Sequence, residues 1–176
     1  MNSSNIYTIA EIGNNHQGDV KHALKLIKAA KECGADAVKT QKRDNKTLYT
    51  KSFFNEKYDN PNSFGLTYGE HREKLELKKN NYKELKEYAS ELKIDFFATP
   101  FNLPSLEFLE EFNFPAYKIA SADITNTILQ TEIAKTKKEV FLSTGGGTLE
   151  DVKRAKNNIF EHNKRLSILQ CTASYP

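Results

Sequence analysis

The sequence predicts an α/β fold, a (β/α)8 barrel truncated after about the sixth strand. Three observations carry this. Six short apolar strands alternate with five amphipathic helices, the pattern of a parallel sheet covered on its faces. Nearly every strand ends in polar side chains that no core requires: Glu11, Lys39 with Gln41, Thr99, Lys118 with Ser121, Ser143, and Thr172 with Tyr175. Functional groups at the C-terminal ends of many strands mark a barrel, whereas an open doubly wound sheet gathers them at one switch point. The chain has 176 residues, short of the roughly 250 that eight such units require. It is therefore expected to be a fragment of a longer enzyme.

Taken in order, Tyr7 to Ile12 is a short β-rich run ended by Gly13. Ala23, Leu26, Ile27 and Ala30 follow at helical spacing, and Gly34 is placed to stop that helix. Asp36–Gln41 predicts a second strand. From Lys42 to about Lys79 the chain is polar with no sustained period, which predicts a mobile functional loop or lid with at most a short helix. Leu85, Tyr88, Ala89 and Leu92 mark the next helix, and Asp95–Thr99 a strand. Pro104–Phe112 is a helix with proline near its first turn. Tyr117–Ala120 is a strand, Thr127–Lys135 a helix and Glu139–Ser143 a strand. Thr148 and Asp151 stand in capping-box spacing at the start of a helix running to about His162. Leu166–Cys171 is the sixth strand. No linker or low-complexity segment divides residues 1–176, which read as one domain.

Composition narrows the classes. Hydrophobic residues make up 38%, enough for a core, so a wholly disordered chain is excluded. No apolar run approaches the roughly 20 residues of a membrane helix, and the start MNSSNIYTIAEIG lacks the features of a signal peptide. Two cysteines, Cys33 and Cys171, make no disulfide framework and read as small core residues. A cytoplasmic protein is expected. The 26 basic and 23 acidic residues leave a net charge of +3, and their interleaving reads as a solvated surface, with no nucleic-acid or membrane partner.

Lys39 and Lys118 are the foremost candidates for chemistry. Each lies late in an apolar strand, where a cation needs an anion or an open strand end. Two lysines at one barrel mouth suit a multiply charged anion such as a phosphate or phosphorylated carboxylate. The competing reading, that each pairs with a structural glutamate or snorkels to solvent, is even for either one alone. Ser143-Thr144-Gly145-Gly146-Gly147-Thr148 joins a strand to a helix N-terminus and suits an oxyanion, without the spacing of a P-loop or dinucleotide motif. Glu11 is a carboxylate late in a strand and needs a reason. His16 reads as a cap of the first helix or a bond to a loop carbonyl. His22, His71 and His162 read as surface residues.

Six ordered motifs, AEIGNNHQGD, AVKTQ, FATPF, YKIASAD, LSTGG and QCTASYP, resemble the N-terminal part of the sialic acid synthase family. That family includes legionaminic and pseudaminic acid synthases and spore-coat polysaccharide homologues. The resemblance runs from Ile9 to Pro176. It implies a barrel that condenses phosphoenolpyruvate with the open-chain aldehyde of an N-acyl hexosamine such as N-acetylmannosamine, giving a nonulosonic acid and phosphate. It matches Lys39, Thr99, Lys118, Ser121 and Ser143 to phosphoenolpyruvate-binding positions, with Lys39, Lys118 and Glu11 as the catalytic candidates. Glu11, Gln41 and Tyr175 match positions facing the acceptor and the metal. A divalent ion, Mn2+ or Mg2+, is implied, with its histidine ligands beyond Pro176. So are a C-terminal antifreeze-like domain, absent here, and a homodimer of the full-length form. Ala173 stands where many members have Asn or Ser, and Asp123 where some have Glu. The chain alone is expected to be inactive. Two alternatives stay open: a Schiff-base aldolase using Lys118, and a non-catalytic barrel segment that associates with another chain.

Overall fold

The computed structural model describes residues 6–174. It contains six strands, β1 (Ile9–Gly13), β2 (Ala37–Lys42), β3 (Asp95–Pro100), β4 (Ala116–Ile119), β5 (Glu139–Ser143) and β6 (Leu166–Leu169). They form one sheet in the order β1-β2-β3-β4-β5-β6. Neighbours in the sheet are neighbours in sequence, so the order never reverses as it does at a doubly wound switch point. The fold is a half-barrel, six strands of a (β/α)8 arrangement. Among the described residues no helix is long and apolar enough to cross a membrane.

The chain divides into two compact units. One holds the chain up to Gln41 with Tyr49–Phe97; the other holds Lys42–Leu48 with the chain from Ala98 onward. In the first, β1 and β2 pair in parallel with Ile9 opposite Ala37 and Glu11 opposite Lys39, and the register slips between Glu11 and Gly13. Helix α1 (Val20–Glu32) starts at Asp19, whose carboxylate accepts from the Lys21 N–H at 2.8 Å. It buries Ala23 and Ile27, and α5 (Lys79–Glu91) buries Tyr82, Leu85 and Ala89. Each large aliphatic buried in this way contributes about 1.5–3 kcal/mol.

The segment after β2 differs from the expected aperiodic loop. It holds three helices, α2 (Asn45–Leu48), α3 (Lys51–Phe54) and α4 (Tyr68–Leu75). In the first unit an aromatic cluster organises it. The Tyr68 ring lies 5.2 Å from Tyr49, 4.6 Å from Phe53 and 5.4 Å from Tyr58, centroid to centroid. Gly69 belongs to this packing, because a Cβ there would sit 2.3 Å from the Phe54 ring. His71, expected at the surface, is buried, with its Nδ1 accepting from the Phe64 N–H at 3.2 Å. Burial holds its pKa below the ordinary value, and the nearby Arg72 charge adds to this.

In the second unit Ala98 pairs with Tyr117, β4 with β5 and β5 with β6, all parallel. Helix α6 (Leu103–Glu110) carries Pro104 in its first turn, behind the cap Asn102. Ser121–Asp123 forms one 3-10 turn, followed by α7 (Thr127–Lys135) and α8 (Leu149–Phe160). The predicted capping box is present: the Asp151 N–H donates to Thr148 Oγ1 at 3.2 Å and the Thr148 N–H to Asp151 Oδ2 at 2.9 Å. Leu109, Phe114, Tyr117, Ile119, Leu129, Ile133, Leu142 and Ile159 fill the core. The cysteines are not core residues, for Cys33 is exposed and Cys171 half-buried. Strand β6 stops at Leu169, leaving Cys171 in the segment that leaves the sheet.

Candidate functional site

In the first unit the parallel register sets Glu11 directly opposite Lys39. The Lys39 ammonium, on a residue only 1% exposed, meets Glu11 Oε2 at 2.7 Å and donates to the Thr40 carbonyl at 3.1 Å. Burying a lysine this completely is tolerable only with such partners. The two foremost candidates of this unit are thus each other's counter-ions. The Glu11 side chain keeps about half its surface open, at 49%. Gly13 explains the slip in register. Its φ of +56° is a left-handed conformation, and a Cβ there would lie 3.3 Å from Glu11 Oε1 and 3.4 Å from Gln41 Nε2. The missing side chain leaves a small space bordered by a carboxylate oxygen and an amide. Glu11, Lys39 and Gln41 are therefore brought together at the ends of β1 and β2.

His16 lies in the turn between β1 and α1 and is 1% exposed. It neither caps α1, which Asp19 does, nor donates to a loop carbonyl through Nδ1. That nitrogen accepts from the Gly18 N–H at 3.0 Å, which requires the ring to be neutral there. Burial pushes its pKa down to about 4; the His22 charge acts in the same direction and the Gly13 backbone opposes it. Gly18, φ +77°, has no room for a side chain, since a Cβ would lie 2.0 Å from the Lys74 carbonyl oxygen.

In the second unit the register again does the placing. Ala98 lies opposite Tyr117 and Lys118 opposite Phe141. Side chains alternate along a strand, so Thr99, Lys118 and Phe141 share one face, with Ser143 one step further along it. Thr99 and Ser143 are buried, at 2% and 3% exposure, and Lys118 is half-buried. The glycine-rich turn after β5 closes on this face. Ser121 Oγ accepts from the Gly145 N–H at 3.0 Å, and Thr144 Oγ1 donates to the Leu169 carbonyl at 2.9 Å. The glycines serve different ends. A Cβ on Gly145 would lie 3.1 Å from Ser121 Oγ and 3.2 Å from Ala173, and one on Gly147 would lie 2.7 Å from Ile124 Cδ1. Gly146, φ +74°, turns the chain.

Cys171 was missed by the sequence reading. Burial pushes its thiol up, but the Ser143 hydroxyl, the Thr144 and Gly145 N–H groups and the Lys118 charge outweigh that and hold it below its ordinary value. The sulfur thus reports a convergence of donors and positive charge that favours an anion. A cysteine right after a strand whose neighbour ends in Ser-Thr-Gly-Gly was the available signal. Asp123 is half-buried; burial pushes its carboxyl up, while the Asn126 amide and the Arg43 charge pull it down. Arg43 itself stacks on Phe101 at 3.7 Å.

Thr99, Lys118 and Ser143 share one sheet face, and Ser121, in the turn beyond β4, meets the Gly145 N–H; Tyr175 lies outside the described residues. Among the described residues no group of three or more His, Cys, Asp or Glu side chains could hold a metal ion. The side chains described do not fit a divalent ion by themselves.

Parallel strands that follow one another in sequence order, with helices between them, define the class: a βα-barrel protein. The NeuB family model matches residues 26–176, and the chain belongs to the NeuB family. It is 38% identical over 170 residues to the N-acetylneuraminate-9-phosphate synthase of Mus musculus, covering 97% of this chain and 47% of that protein. It is 35% identical to the N,N'-diacetyllegionaminic acid synthase of Campylobacter jejuni, over 96% of this chain and 52% of that one. The chain thus spans about half the length of these curated relatives. Among solved structures, the N-acetylneuraminic acid synthetase of Leptospira borgpetersenii superposes with a TM-score of 0.83 at 30% identity, over 98% of this chain and 56% of that one. A DAHP synthase of Thermotoga maritima superposes at 0.65 with 15% identity, over 96% of this chain and 44% of that one, a likeness of fold alone.

Proposed function

We propose that this chain supplies the phosphoenolpyruvate-binding part of an enzyme that condenses phosphoenolpyruvate with an N-acyl hexosamine to give a nonulosonic acid and phosphate. The observation that carries the reading is the parallel register that sets Thr99, Lys118 and Ser143 on one sheet face, with Ser121 Oγ bonded to the Gly145 N–H of the turn that follows β5. The names of the relatives supply the reaction class.

In this reading the anionic groups of phosphoenolpyruvate sit against Lys118 and the glycine turn, oriented by the hydroxyls of Thr99, Ser121 and Ser143. Lys39 is matched by family resemblance to the same ligand, and Glu11 and Gln41 to the acceptor. Positive charge and N–H donors hold and orient the ligand, and its enol oxygen makes C3 the nucleophile. C3 then bonds to the aldehyde carbon, and the aldehyde oxygen takes up a proton and becomes a hydroxyl. Water adds at C2, and cleavage of the C2–O bond releases phosphate as the keto group forms. The small molecules are the only partners in this scheme, and the homodimer expected of a full-length form is a further proposal.

The test is calorimetric titration of the chain with phosphoenolpyruvate. Binding should weaken with added salt and drop by at least about tenfold, the equivalent of about 1.4 kcal/mol, in Lys118→Met. Unchanged affinity in Lys118→Met would place the anion elsewhere and overturn the assignment.

A further inference from the structure

We propose that Gln130 is a positioning residue for the anion site of the second unit, acting through the turn that carries Ser121. The inference rests on the reading that this site binds a phosphate-bearing anion. Gln130 lies on α7 between Leu129 and Ile133, and all three are buried, Gln130 at 0% exposure. An aliphatic residue would suit that position as packing. A buried amide instead demands partners for both N–H groups and its oxygen.

Gln130 has them all. Its Nε2 donates to the Asp123 carbonyl at 2.9 Å and to the Ile124 carbonyl at 2.8 Å. Its Oε1 accepts from Asn158 Nδ2, on α8, at 3.2 Å. Asn158 is itself held, donating to the Thr127 carbonyl at 3.1 Å and accepting from Thr131 Oγ1 at 3.2 Å. The two carbonyls gripped by the amide belong to the last residue of the 3-10 turn and the residue that caps it. That turn touches the glycine-rich loop at two points. Ser121 Oγ accepts from the Gly145 N–H, and the Ile124 side chain occupies the space beside Gly147. One amide therefore fixes both carbonyls of the turn, and the turn fixes the Ser121 hydroxyl and the Gly145 N–H relative to each other. Nothing in the proposed chemistry uses Gln130 directly, so its effect must pass through that geometry.

The experiment is calorimetric titration of the chain with inorganic phosphate, in wild type, Gln130→Met, Gln130→Glu, Ser121→Ala and the double variants. Glutamate keeps the side-chain volume and loses both donors; methionine keeps the packing. Thermal unfolding first identifies the variants that fold, and either one suffices. In the Ser121 background the affinity of wild type should fall about fivefold on losing the Gln130 donors. In the Ser121→Ala background the same change should have no further effect. Wild-type affinity in a folded Gln130 variant overturns the inference. So does an equal loss in both backgrounds, which would mean general loosening of the core. If wild type binds no phosphate at all, the anion-site reading itself falls, an outcome separate from either of these.

Discussion

The sharpest energetic consequence of the fold lies at His16. Its ring must be neutral where Nδ1 accepts from the Gly18 N–H, and burial pushes its pKa from 6.5 down to about 4. A group whose pKa is lowered by folding contributes its full stabilisation above the unfolded value and loses it as pH falls toward the folded one. The window is therefore from about pH 6.5 down to about pH 4. A shift of about 2.5 units is worth about 3 kcal/mol at about 1.36 kcal/mol per unit. Between pH 7.5 and 4.5 most of that should disappear, about 2.5 kcal/mol. His16→Asn is the informative variant, because its side-chain oxygen can still accept from Gly18 and does not titrate. Urea unfolding of both proteins at several pH values isolates the term as the difference between the curves; His71 and the carboxylates titrate equally in both. The variant should match wild type to within about 1 kcal/mol at pH 7.5 and exceed it by about 2 kcal/mol at pH 4.5. Parallel pH curves would refute the argument, since His16 would then titrate alike folded and unfolded.

Gly18→Ala should destabilise by about 3 kcal/mol or more, read by urea unfolding, because the Cβ would collide with the Lys74 carbonyl at a left-handed φ. Tyr68→Ala should remove the centre of the aromatic cluster and open the segment to trypsin at Lys57 and Arg72; in wild type those sites should resist, and equal cleavage rates would deny the cluster its role. Cys171 should be alkylated by iodoacetamide at lower pH than an ordinary free thiol, and inorganic phosphate should slow that reaction, followed by peptide mass.

Much of this fold was legible because the βα alternation writes itself as apolar runs of two periods. Thr148 and Asp151 announced a helix start three residues apart, and Pro104 marked the first turn of α6. Glu11 and Lys39 were both legible as polar residues late in strands. Their pairing was not, because it depends on the register between two strands, which no single strand encodes. The aromatic segment failed for another reason. Tyr49, Phe53, Tyr58 and Tyr68 meet through short helices and turns, so their spacing has no constant period to detect. His71 was misplaced with them. Cys171 was misread because β6 ends two residues earlier than its apolar run, and the alternation that would have turned the thiol into the core stops with it.

The Glu11–Lys39 pair gives the buried lysine a resident counter-ion. One carboxylate oxygen neutralises a lysine that could not otherwise stay buried, while the other borders the space beside Gly13. An incoming anion that reaches Lys39 meets an occupied seat and must evict a tenant held at 2.7 Å. Affinity there is an exchange of one negative group for another, so it is set by how much better the newcomer fits.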